Sequence, residues 1–139
     1  MNRIATFCIG AAIAGSSLAG PPEAANRFNG IGRPCAGVLD LRDAAISWKT
    51  SFSSCPATAY AILDGYHDKT KTSIAFELAE ITHECKFRVI SLVQRESGSG
   101  QPAWEATGYG TRDAYWEDKR SGFANKAPDT MSCPLLRAP

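Results

Sequence analysis

No apolar run in this chain reaches the roughly 18 residues that a membrane-spanning helix needs, so no integral membrane segment is expected in the mature protein. Histidine is scarce, with only His67 and His83. No C-x-x-C pair occurs and no second ligand pair accompanies His83 and Cys85, which removes the usual zinc arrangements; neither a metal nor another cofactor is expected. The G-x-S-x-G elbow of many hydrolases is missing, as is any N-x-S/T sequon. The formal net charge is only +1. That leaves neither the basic footprint of a nucleic-acid binder nor a polybasic patch for a membrane surface.

What is present begins with a leader. Arg3 supplies a positive start, an apolar run follows from Ile4 to Ala14, and Ser17-Leu18-Ala19 forms an A-x-A-like cleavage site, so residues 1–19 read as a secretory signal peptide. Phe7 before Cys8 is the wrong neighbour for lipidation. Cleavage leaves about 120 residues, the size of one domain. Hydrophobic residues make up 44% and charged residues 21% of the chain, which is globular rather than disordered composition. Of the 15 Lys and Arg, Arg3 goes with the leader, so the remainder balances the 14 Asp and Glu.

Export gives meaning to the cysteines. Cys35, Cys55, Cys85 and Cys133 remain after cleavage, an even number in a small exported chain, and read as two disulfides. Three pairings are open; the favoured one nests Cys55–Cys85 inside Cys35–Cys133. A closure as long as the outer one contributes about 4–5 kcal/mol in the loop-entropy picture.

Residues 20–34 are rich in Pro and Gly and read as a flexible linker into a single domain at 35–139. Within that domain, alternation predicts strands at Val38–Arg42, Ala45–Phe52, Cys85–Val93 and from Trp104 to Thr111. Ala57–Leu63 and Ile74–Ile81 fit a strand or a short helix. The residues from Arg95 to Pro102 form a polar hairpin loop, and Gly108 and Gly110 around Tyr109 signal a bulge or a close backbone approach. The fold class is therefore mainly β, a small antiparallel barrel or sandwich with disulfides, and α+β if one of the ambiguous segments is helical. The expected core is Leu39, Leu41, Ile46, Trp48, Phe52, Ile62, Ile74, Phe76, Leu78, Phe87, Val89, Ile90 and Leu92.

Chemistry-bearing residues are few. Two of the three Trp and two of the four Tyr fall between Trp104 and Trp116. Read as extended chain, their polar or glycine neighbours make Tyr109 and Trp116 the better candidates for an exposed binding surface. Arg95 and Glu96 begin a loop of the kind that inhibitors insert into a partner. The leading expectation is an exported, non-enzymatic binding or inhibitor-type protein, secreted or periplasmic, acting through protein or glycan recognition. Asp113, Glu117 and Asp118 form an acidic cluster beside the aromatics, but Arg112, Lys119 and Arg120 interleave with them as on a solvated face. One alternative is a small secreted hydrolase that uses a histidine, His67 or His83, with nearby carboxylates; another is a carrier of a small apolar ligand.

Overall fold

In this computed structural model, the residues described are 26–124 and 127–139. The expected signal peptide, Cys8 and the first part of the expected linker lie outside them. Nine antiparallel strands form one sheet: β1 Asn26–Gly30, β2 Val38–Leu41, β3 Ile46–Lys49, β4 Ser54–Thr58, β5 Tyr60–His67, β6 Lys71–Leu78, β7 Val89–Arg95, β8 Ala103–Tyr109 and β9 Met131–Arg137. One helix, α1 Arg112–Arg120, follows β8.

The sheet runs β4-β3-β2-β1-β9-β8-β7-β6-β5. Its two edges, β4 and β5, are consecutive in sequence and separated by Ala59 alone, so the sheet must curl into a nearly closed barrel. Polar contacts stitch the seam. Glu80 N–H, just past β6, donates to the Thr58 hydroxyl of β4 at 3.2 Å, and the Tyr60 hydroxyl donates to Arg42 O at 2.9 Å. Across the outer side of β4, Ser54 N–H donates to Glu84 O at 3.0 Å. The Cys55–Cys85 disulfide lies beside that contact and fixes edge strand β4 to the lead-in of β7. The Cys35–Cys133 disulfide joins the β1–β2 turn to β9. This is the nested pairing favoured above.

The barrel interior is filled by side chains. Trp48 stacks on Phe87 with centroids 5.2 Å apart, Phe28 meets Trp104 at 4.9 Å, and Tyr60 meets Phe76 edge-on at 4.9 Å. Leu39, Ile46, Leu78, Ile90, Leu92, Ala106 and Leu135 complete this cluster. One inward position admits only glycine: a Cβ on Gly108 would stand 2.5 Å from the Phe87 ring. The glycine signal around Tyr109 therefore marks a close approach, and β8 pairs in continuous register without a bulge.

Several expectations are corrected. Asn26–Gly30, placed in the linker, is a central strand between β2 and β9, because its backbone groups are needed by both neighbours. Phe52 is 68% exposed. β3 stops at Lys49, and the Thr50 hydroxyl accepts from Phe52 N–H and Ser53 N–H in a tight turn that swings the ring outward. Ile62, 58% exposed, and Ile74 lie toward the free edge at β5, where the pairing slips between Ile62 and Asp64 and the barrel no longer covers them. The strand expected from Cys85 begins at Val89, since Cys85 is held by its disulfide and Phe87 by Trp48. Neither ambiguous segment is helical: Ala57–Leu63 runs through β4 and β5, and Ile74–Ile81 is extended as far as Leu78, where β6 ends. The helix lies instead over Arg112–Arg120, which replaces the extended chain expected around Tyr115 and Trp116.

Candidate functional site

Helix α1 starts where Thr111 caps it, its hydroxyl accepting from Ala114 N–H at 3.0 Å. Asp113 in the first turn and Lys119 and Arg120 in the last complement the helix dipole. The chain reverses at Gly122 (φ 68°) and Phe123 (φ 62°), and Phe123 N–H donates to Asp118 O at 2.7 Å. A positive φ is unusual for a phenylalanine and marks a constrained exit from the helix.

This helix packs on the outer face of the sheet, and the register of the strands dictates what it covers. Along that face lie Lys71 and Arg95, then Ser73, Val93 and Glu105, then Ala75, Ser91, Thr107 and Ser132, then Val89 and Tyr109. The last row is covered: Val89 and Tyr109, with Ala75 from the row before and Tyr115 of α1, form a small apolar cluster, Tyr109 and Tyr115 edge-to-face at 5.3 Å. The rows before it remain under the end of α1 as a polar pocket of about 240 Å³. Its buried hydroxyls come from Ser73, Ser91 and Thr107, and Lys71, Arg95, Glu105 and the Phe123 ring line it as well.

Asp118 also lines this pocket and is 1% exposed. Its Oδ2 accepts the Tyr109 hydroxyl at 2.7 Å. Its Oδ1 has no hydrogen-bond partner among the described residues. Burial, with the Asp118 bond second, pushes the Tyr109 phenol far above its ordinary value, so it stays a donor. Lys71 holds its ammonium 4.7 Å from the centre of the Phe123 ring. Desolvation, then Arg95 beside it, lowers its pKa.

A second pocket of about 310 Å³ adjoins the first and shares Lys71, Ser73 and Phe123 with it. There the polar groups satisfy one another. Asp64 accepts from the Tyr115 hydroxyl at 2.7 Å and pairs with Lys119. Burial pushes the Asp64 carboxyl upward, but the bonds from Lys119 and Tyr115 outweigh it and the net shift is down. A larger concavity lies elsewhere, an open groove of about 880 Å³ lined by Pro34, Phe52, Phe87 and Met131 among others. Its charged lining groups, Lys86 and Asp129, are both exposed, so it lacks the buried charge that marks the smaller pocket.

The candidate residues separate on this framework. Arg95 and Tyr109 come together in the polar pocket. Tyr109 is 1% exposed, so the binding surface proposed for its ring is corrected: α1 covers the ring and only the hydroxyl end borders the pocket. Glu96 is exposed beside it, in a shallow pocket that shares Lys71 and Arg95. Trp116 is half-buried against Tyr115, with Lys119 5.4 Å from its ring centre, outside the pocket. Helical rather than extended chain accounts for the difference, because three-residue spacing brings Tyr115 and Asp118 to one face. The solvated face expected for the acidic cluster holds for Asp113 and Glu117, which are exposed, and not for Asp118. Recognising the helix by Thr111, Asp113, Lys119, Arg120 and Gly122 would have placed it opposite the exposed Asp113 and Glu117.

The histidines stand apart from these groups. His67 is exposed with Nδ1 2.7 Å from the Thr72 hydroxyl, and His83 is exposed. No hydrogen bond joins either to a carboxylate among the described residues. No group of three or more His, Cys, Asp or Glu that could hold a metal occurs among them. No family model, curated protein or solved structure matches this chain. No helix among the described residues is long and apolar enough to cross a membrane.

Proposed function

We propose that this is an exported, non-enzymatic binding or inhibitor-type protein, secreted or periplasmic, that holds a protein or glycan partner at the polar pocket beneath α1. One observation carries this reading: Asp118 is buried, yet one of its carboxylate oxygens has no partner among the described residues. A buried carboxylate oxygen left without a donor is costly, and a hydrogen-bond donor from a ligand removes the cost. The signal-like leader and the two disulfides support export. Arg95 and Glu96, at the root of the β7–β8 loop, stand beside the pocket as accessible recognition groups. The packed barrel interior favours a surface site over an apolar carrier cavity.

The test probes glycan and peptide arrays with the mature chain and with the Asp118→Asn and Arg95→Ala variants. A limited set of hits that both variants lose, with circular dichroism unchanged, is expected. An absence of hits, or hits that survive both substitutions, would defeat the proposal.

A further inference from the structure

We infer that the pocket beneath α1 takes a single uncharged, hydroxyl-rich ring of about one sugar residue, so that the partner is a glycan; this rests on the binding role proposed above. The first argument is charge. The carboxylates of Asp118 and Glu105 are matched by Lys71 and Arg95 in the same lining, while nearby Lys119 is already paired with Asp64. A ligand with net charge would upset that balance next to a buried group, which is expensive in a poorly solvated site.

The second argument is hydrogen-bond type. The Asp118 carboxylate can only accept, Lys71 and Arg95 can only donate, and the hydroxyls of Ser73, Ser91 and Thr107, the last 2.9 Å from the Ser132 hydroxyl, do both. A sugar hydroxyl donates and accepts at once, so adjacent hydroxyls on one ring can serve both kinds of group. A ligand ammonium would satisfy Asp118 but would meet two cations at the same pocket. The third argument is size and surface. A volume of about 240 Å³ falls below the roughly 300–1,000 Å³ of sites for drug-sized molecules, and leaves room for one ring rather than a chain of them. Val93 and the Phe123 ring give that polar pocket an apolar wall for the C–H face of a pyranose.

The experiment titrates the mature, disulfide-bonded chain with methyl glucoside, methyl galactoside and N-acetylglucosamine, and separately with glycine and lysine, reading amide ¹H–¹⁵N shifts. At least one sugar is expected to shift Ser73, Ser91, Thr107 and Tyr109 saturably. Asp118→Asn should weaken that sugar about tenfold or more, the worth of a hydrogen bond to a charged acceptor. Lys71→Ala, which removes a half-buried side chain at the edge of the fold's polar face, should also weaken it and stands in if Asp118→Asn fails to fold. Shifts at these amides from the amino acids alone would overturn the sugar inference and leave the binding role standing. Shifts from no probe, or sugar shifts unmoved by either variant, would overturn the inference, and the arrays would then decide the binding role separately.

Discussion

Tyr109 shows what burial and a hydrogen bond to a buried carboxylate do to a phenol. The phenol is buried and donates to a carboxylate, so its ionisation is opposed on both counts. Tyr115 is raised likewise, by burial and then by its bond to Asp64. A tyrosine whose folded pKa is raised contributes stability that is present below its unfolded value and lost as pH rises through the folded one. Ultraviolet titration is therefore expected to leave Tyr109 and Tyr115 un-ionised beyond the normal phenol range until the protein unfolds. Asp68 shows the opposite sign in the β5–β6 turn. The Tyr66 hydroxyl at 2.6 Å and the backbone N–H groups of Thr70 and Lys71 hold its carboxyl down to about 2. A depressed acid contributes stability present above its unfolded value, about 3.9, and lost as pH falls toward the folded value. The β5–β6 turn should keep its amide protection at pH 4 and lose it towards about pH 2, checked by ¹³C titration of the Asp68 carboxyl.

At the scale of elements, β-strand alternation was legible wherever one face met the barrel core. Leu39, Trp48, Phe76, Leu78 and Leu92 all point inward as their spacing requires. It misled where the strand ended early, at Phe52, or reached the free edge, at Ile62, because alternation cannot report where pairing stops. The helix was missed for another reason. Arg112–Arg120 buries only a narrow stripe, Tyr115 and Asp118, on a sheet face that already covers itself with hydroxyls, so its apolar period is faint. Its caps were the stronger signal. The candidate site was half-legible: Arg95 and Tyr109 were singled out, but their meeting depends on β7–β8 register, and Asp118 depends on the helix. Gly108 tests the packing of these elements. Gly108→Ala would drive a methyl into Phe87 beneath Trp48 and is expected to cost about 1–3 kcal/mol in urea unfolding, whereas Gly65→Ala meets open space at its Cβ and should cost less.

For the whole molecule, the sheet is held as a barrel by what crosses the seam between β4 and β5. The Cys55–Cys85 disulfide spans 30 residues and the Cys35–Cys133 disulfide 98. Loop entropy alone makes the longer one worth about 1 kcal/mol more to global stability. Their local effects differ. Replacing Cys55 and Cys85 by serine is expected to raise hydrogen exchange selectively in β4 and the lead-in to β7, while replacing Cys35 and Cys133 lowers protection across the sheet. The pocket lies on β6 to β8, and the barrel serves it as a rigid platform. The central claim is that the buried Asp118 carboxylate is there for a ligand and is not required by the fold. The most direct measurement is the unfolding free energy of Asp118→Asn. The amide oxygen can still accept from Tyr109 while the buried charge is removed, so stability within about 1 kcal/mol of the parent, or above it, is predicted. A loss of about 3 kcal/mol or more would show that the charge holds the fold together and would contradict the account.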